Sequence, residues 1–502
     1  MLGLQLPRIK RRCRKRISLW LLYQNAARLA LVALFTLVMT AHAAAQQTRA
    51  NSKTRAERAT STSPQEEAAA LLENAAQFLQ AGKLDAAEPL VRRAVTLAPR
   101  SADAQNLLGV ILDQRGQTQE AERAYREALQ LNPKSISTLA NLGVLLARTK
   151  RYDQAIQSFE TILRSVPEHP QATTNLGLLY AMRGDYKRAV PLLERANALR
   201  PATFTILYNL GVAFYSLNRF DEAVSAFTAA SSLAPDAAEP LYYLGLVAAA
   251  RGNSEAAFDL WQRTLTRRPD FADANFMIGE ELRKQRRYEG AAEFYSKALA
   301  QDSTKLVYYV RLGGTLILLK QPDKAFDLLQ RAAQTFPEKP EANYFLGVAA
   351  RGRGAYDVAE VALRKSLQLQ PDNVDTLAQL GFIVGERGNF AEAEKFLRRA
   401  IVLSAKHFYA YYDLGRLLVK TQRYDEAVSV LTRGAAIKPD NAGVHYQQFI
   451  ALSRLKRLTE AERELVIFKR LEEERKSHRR DDDDIENPDN PISDAHPRDN
   501  QK

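Results

Sequence analysis

The sequence predicts an all-α repeat array, a stack of antiparallel helix pairs rather than one closed globule. Three observations predict it. Ten glycines stand 34 residues apart without a slip, from Gly109, Gly143 and Gly177 through Gly211, Gly245, Gly279, Gly313 and Gly347 to Gly381 and Gly415. Twelve residues after each comes an alanine, Ala121 and Ala155 through to Ala427, and Ala87 and Ala461 extend that row by one unit at each end. Prolines close most units, among them Pro99, Pro133, Pro167, Pro201, Pro235 and Pro439. A strict period of this length marks stacked supersecondary units.

Each part of the unit has a physical reason. Leu139, Leu142, Gly143 and Leu146 recur at i, i+3, i+4 and i+7, the stripe of a first helix. Tyr152, Ala155, Phe159, Ile162 and Leu163 form the stripe of a second. The short turn between them often carries glycine (Gly82, Gly116, Gly184, Gly252, Gly354, Gly388) or Asn218, residues suited to the left-handed conformation that ends a helix. The closing proline has no amide hydrogen and cannot continue the preceding helix. A glycine inside a helix costs about 1 kcal/mol relative to alanine, so the periodic glycines predict close approach of neighbouring helices.

Asn141-Leu142-Gly143, Ala155, Phe159 and Pro167 stand in the order of the tetratricopeptide repeat. So do Asn209-Leu210-Gly211, Phe214, Ala223, Phe227, Ala230 and Pro235. The chain resembles that family over about residues 68 to 475, some twelve units. The resemblance implies a right-handed α-α superhelical solenoid of helix-turn-helix units, with a concave face lined mainly by the first helix of each. Some units depart from the pattern. Ser303 and Ala405 replace the closing proline, Thr264 and Ser366 replace the second alanine, and Ile162 is bulkier there. Pro89 and Pro191 sit early in second helices, where a kink is expected. In the last unit Phe449 takes the glycine's place, and a polar second helix from Thr459 to about Lys476 caps the stack.

The ends read differently from the array. Residues 1–45 hold Arg8, Lys10, Arg11, Arg12, Arg14, Lys15, Arg16 and Arg28 with no acid, followed by an apolar run from Leu29 to Met39 and the small residues Ala41 to Ala45. That order describes a secretory signal peptide cleaved near Ala45, with an uncleaved signal anchor as the alternative. The expected location is exported, periplasmic or secreted, or else membrane-anchored facing out of the cytoplasm. Cys13, the only cysteine, lies inside this segment. Residues 46–63 read as a flexible linker, and Ser63-Pro64-Gln65-Glu66 as the capping box that opens an array spanning 64–475. Residues 476–502, with Asp481 to Asp484 and three prolines, read as a disordered acidic tail.

Composition excludes more than it suggests. The net charge of +13 is mostly local, since without the eight N-terminal cations +5 remains on the rest. No basic aromatic stripe points to nucleic acid. The six histidines are scattered, no two at metal-ligand spacing, and no phosphate loop or nucleophile elbow is present. The chain continues for only about 25 residues past the last repeat, too few for an appended catalytic domain such as the O-GlcNAc transferases carry. No enzyme activity, cofactor or metal is expected.

Function is therefore expected on the concave face. The positions two before each glycine read Asn141, Asn175, Asn209, Tyr243, Met277, Arg311, Phe345, Gln379 and Asp413, and those three before it include Tyr208, Tyr242, Phe276 and Tyr344. The asparagine row is similar to the rows that hold extended peptide backbones in O-GlcNAc transferase arrays, and a carboxamide can both donate to and accept from a peptide group. The aromatic row has two readings, ligand contact or packing between units. The expected peptide-binding residues are Asn141, Asn175, Asn209, Tyr208, Tyr242, Phe276, Arg311 and Tyr344. The expected function is an exported, non-enzymatic scaffold binding a protein or peptide segment. The alternatives are an accessory subunit of an envelope enzyme or glycosyl-transfer system, or a self-assembling structural array. A membrane contact is expected only through the N-terminal segment.

Overall fold

The computed structural model describes residues 63–481, and among them it contains 24 helices and no strand. These residues belong to two compact bodies, divided between Arg263 and Thr264. The first body holds α1 (Pro64–Gln80), α2 (Leu84–Leu97), α3 (Ala102–Gln114), α4 (Thr118–Leu131), α5 (Ile136–Arg148), α6 (Tyr152–Ser165), α7 (Pro170–Arg183), α8 (Tyr186–Leu199), α9 (Phe204–Ser216), α10 (Phe220–Leu233) and α11 (Glu239–Ala250). The division falls within α12 (Ser254–Arg267). The second body holds α13 (Ala272–Lys284), α14 (Tyr288–Gln301), α15 (Leu306–Leu318), α16 (Pro322–Thr335), α17 (Pro340–Gly352), α18 (Tyr356–Leu369), α19 (Val374–Glu386), α20 (Phe390–Leu403), α21 (Phe408–Lys420), α22 (Tyr424–Ile437), α23 (Ala442–Arg454) and α24 (Leu458–Asp481).

Odd-numbered helices are the first helices of the units and even-numbered ones the second. Within each body consecutive first helices touch, α1 through α11 in the first and α15 through α23 in the second, while consecutive second helices do not pack together comparably. The first helices therefore line the inner side of each stack. An apolar core runs continuously from Ala75 to Val247 in the first body and from Phe326 to Ala451 in the second.

The periodic small residues do what their spacing predicts. Every glycine of the row faces a large side chain sixteen residues later, so Gly143 faces Phe159 and Gly245 faces Trp261. A Cβ at Gly143 would lie 2.8 Å from the Phe159 ring, and one at Gly211 would lie 2.6 Å from Phe227. All ten alanines from Ala121 to Ala427 are fully buried. The turn has its own register. A residue with positive φ recurs at each step from Gly82 to Lys456, and besides the six glycines and Asn218 it is Lys150, Arg286, Lys320, Gln422 or Lys456.

Helix starts are also local. Ser63 accepts from the Glu66 amide at 3.3 Å while its own amide donates to Glu66 Oε2 at 2.9 Å, completing the expected capping box. His169 and His407 cap α7 and α21 by accepting from the Ala172 and Ala410 amides through Nδ1. Helices α2 and α8 are continuous through Pro89 and Pro191. Exposed ion pairs thirty residues apart link successive units: Arg115 to Asp85, Arg183 to Asp153, Arg251 to Asp221, Arg353 to Asp323 and Arg387 to Asp357. Such pairs each contribute at most about 1 kcal/mol.

The last helix differs from its expected end, running to Asp481 rather than stopping near Lys476. The expected signal peptide, anchor and linker, and the tail from residue 482, lie outside the described residues. Among the described residues no helix is long and apolar enough to cross a membrane.

Candidate functional site on the inner faces

Helix geometry decides which residues reach the inner face. At about 100° per residue, the position two before the glycine points about 160° away from the glycine's packing direction, and the position three before it only about 60° away. The first should open inward and the second should pack.

In the first body the asparagine row follows this geometry but is not a uniform ladder. Asn141 is half-buried and its Nδ2 donates to Oδ1 of the buried Asn106, one unit earlier, at 3.2 Å. Asn175 is buried, and its Nδ2 has no hydrogen-bond partner among the described residues. Asn209 is half-buried and donates back to the Thr205 carbonyl at 2.7 Å. The aromatic positions pack. Tyr208 and Tyr242 are each 4% exposed. Tyr208 stacks on Phe204 at 5.9 Å and meets Tyr243 edge-on at 5.8 Å, and Tyr242 meets Tyr243 at 5.5 Å. Tyr243, stacked on Phe227 at 5.0 Å, is the half-exposed ring at the inner edge of this cluster.

In the second body the asparagine position carries charge twice, as Arg311 and Asp413. Phe276, expected on the groove, is 3% exposed and lies between Tyr295 and Tyr308, with ring centres 5.6 and 5.0 Å away. Tyr208, Tyr242 and Phe276 are thus inter-unit packing residues rather than groove-lining ones, because three before the glycine turns toward the neighbouring helices. Arg311 is likewise committed. Its Nε lies 3.0 Å from Oε1 of the buried Glu280, which also accepts from the Tyr295 hydroxyl and lies 3.7 Å from Arg283 Nε. That burial, with the Glu280 charge beside it, pushes the Tyr295 phenol far above its ordinary range. Tyr344 is half-buried and edge-on to Phe345 at 5.2 Å, and burial raises its phenol too. Of the four aromatics expected to bind peptide, Tyr344 alone retains partial exposure.

The reading by residue type passed over a further group. Arg351, four after its glycine, donates from Nη1 to Gln379 Oε1 at 2.7 Å and lies over the Phe382 ring. Arg416, one after its glycine, approaches the same ring and sits 3.7 Å from the buried Asp413 and 3.5 Å from Glu386. The signal was available in part, since carrying the positions one and four after the glycine forward from Arg283 reaches Arg351, Phe382 and Arg416.

Comparisons with known proteins agree with the repeat register. Tetratricopeptide repeat models match residues 208–266, 244–305 and 319–374, and a second such model matches 386–451. The model of the anaphase-promoting complex, cyclosome, subunit 3 matches 149–230, and that of the tetratricopeptide repeat protein 21 C-terminal ARM domain matches 19–176. No curated protein matches the chain. Among solved structures the chain is similar to a chain of the APC/C hetero-tetramer Cut9-Hcn1, at 14% identity over 86% of this chain and 98% of that one, with a TM-score of 0.42. It is similar to a tetratricopeptide repeat protein from Parabacteroides merdae ATCC 43184, at 22% identity over 50% of this chain and 99% of that one, with a TM-score of 0.37. It is also similar to YrrB, described as a TPR protein with an unusual peptide-binding site, at 23% identity over 37% of this chain and 95% of that one, with a TM-score of 0.35. The 34-residue register, the helix pairs packed through glycine and alanine, and the matched repeat models together identify the chain as a tetratricopeptide-repeat protein.

Proposed function

We propose that this repeat protein is an exported, non-catalytic scaffold that holds an extended protein segment against the inner face of its first helices. A tetratricopeptide array is suited to protein–protein interaction. The observation that carries the reading is the inner wall itself, where consecutive first helices touch and present partly exposed side chains in register, Asn141, Asn209 and Tyr243 in one body and Phe345 and Gln379 in the other. Side-chain amides bind peptide groups irrespective of sequence, and aromatic side chains supply most of the energy at such contacts. Tyr208, Tyr242 and Phe276 contribute by holding this wall in place. Export rests on the order of basic, apolar and small residues from Arg8 to Ala45, with the mature chain beginning near Gln46.

The test begins with cross-linking of the mature protein, identification of a dominant partner and measurement of its affinity. Replacing the two partly exposed members, Asn141 and Asn209, together by Ala is expected to weaken binding about tenfold, since each hydrogen bond contributes roughly 0.5–1.5 kcal/mol, with little change in melting temperature. A large drop in melting temperature with unchanged affinity would make the row structural and end this reading. N-terminal sequencing from an envelope fraction tests export, where an intact Met1 in the membrane pellet would favour the anchor.

A further inference from the structure

The last helix carries an uncovered seam. On second helices, the positions nine, thirteen, sixteen and twenty after the periodic small residue share one face. In every preceding unit all four are buried or half-buried, as Phe220, Val224, Phe227 and Ser231 are in α10. In α24 they are Leu458, Glu462, Leu465 and Lys469, of which only Leu465 is half-buried and the others are exposed. Leu458 is 69% exposed, and Val466 beside the seam is 61% exposed. Glu462 and Lys469 form no ion pair or hydrogen bond among the described residues, although Glu460, Glu464, Arg470 and Arg475 around them are all paired. Neither end suits another repeat. Phe468 stands where the preceding units carry small residues, Ile162 excepted, and α1 has the exposed Asn74 where the ten glycine units carry leucine or isoleucine.

We propose that this seam is the contact between two copies of the chain, paired antiparallel through α24 about a twofold axis between Leu465 and Val466. The seam is self-complementary about that point. Glu462 and Lys469 lie one turn to either side of it, so the axis sets Glu462 of each copy opposite Lys469 of the other and forms two ion pairs at once. Leu465 and Val466 fall about 50° to either side of the line joining the two charges and meet their counterparts at the centre. Leu458 extends the apolar strip outward in each copy. The apolar side chains supply the attraction, and the charges fix the antiparallel register. The contact uses a second helix and does not depend on the groove reading.

Sedimentation equilibrium of the full chain is expected to show a dimer. Glu462→Lys alone and Lys469→Glu alone should each weaken it about tenfold or more, because each sets like charges across the axis. An equimolar mixture of the two variants should restore the dimer as a mixed pair, and so should one chain carrying both changes. Both residues are exposed, so the helix content of every variant should match the wild type by circular dichroism. A wild-type chain that stays monomeric would overturn the proposal. A dimer that neither reversal weakens would place the contact elsewhere, and a dimer lost in both variants but not regained on mixing would refute the pairing; either result overturns it. A monomer that dimerises only after removal of residues 482–502 would assign the seam to the chain's own tail and overturn its assignment to a second copy.

Discussion

The two bodies share one repeat and bury different chemistry. The buried polar residues of the first are neutral: Gln105, Asn106, Thr138, Ser158, Thr173 and Asn175. The second also buries Glu280, Glu281, Asp413 and His445. The difference teaches what a repeat register can and cannot specify. Glycine and alanine positions set how close the helices come, and both bodies obey them alike. The side chains pointing inward are free to differ, and a charge placed there has to recruit its own partners. Asn175 can leave an amide nitrogen unmatched at modest cost, whereas Glu280 collects Arg311 and Tyr295, and Glu281 is paired with Lys284 Nζ at 2.6 Å.

The largest expected effect tests that contrast directly. Glu280→Leu leaves the half-buried Arg311 without its carboxylate and should cost about 3 kcal/mol in the second body. Asn175→Leu in the first should stay within about 1 kcal/mol, because the amide it removes is already unmatched on one side. Denaturant melts of the two variants decide the matter, and equal losses would remove the distinction between the bodies. Ala223→Trp comes next. Ala223 is fully buried in the first body, so overpacking should cost about 1–3 kcal/mol or more, and an unchanged melting curve would refute the packing register.

Smaller effects are expected at the turns and from pH. Lys150→Gly and Arg286→Gly, one in each body, relieve a left-handed non-glycine residue and should each stabilise by up to about 1 kcal/mol in thermal melts. The histidines should act with opposite signs. Burial and Arg200 hold His169 below its ordinary value of 6.5, and its Nδ1 accepts a helix-cap hydrogen bond that a protonated ring cannot accept. Its contribution is present above the unfolded value and is lost as pH falls through the folded one. His445 is raised, first by Glu464 at 2.6 Å, with the Pro439 carbonyl at 2.9 Å adding to it. Its contribution is full below 6.5 and is lost as pH rises through the elevated value. Hydrogen exchange corrected for intrinsic rates should show α7 opening on acidification while α23 and α24 hold, and His169→Asn should abolish the first effect.

The helix pairs were legible because packing between repeats leaves small residues at fixed intervals, and Gly143 against Phe159 is the same contact as Gly211 against Phe227. The inner face was only partly legible. Two and three positions before the glycine are adjacent in sequence and about 100° apart on the helix, so Asn209 reaches the inner face while Tyr208 packs. Residue type did not reveal the left-handed turns at Lys150, Arg286, Lys320, Gln422 and Lys456, because their conformation is set by the helices on either side. The pairing of Arg311 with Glu280 joins residues of neighbouring units and becomes visible only when those units are stacked.

The central claim is that the partner lies against the first helices, and site-specific photo-crosslinking in cells tests it most directly. A benzophenone amino acid would be placed at Asn141, Asn209 or Gln379 on the inner face, and at Val361 or Val402, both strongly exposed on second helices. One discrete adduct from the inner positions, weakened at Gln379 by the asparagine replacement and absent from Val361 and Val402, is the predicted result. The same adduct at equal yield from the second helices, with none from the first, would contradict it.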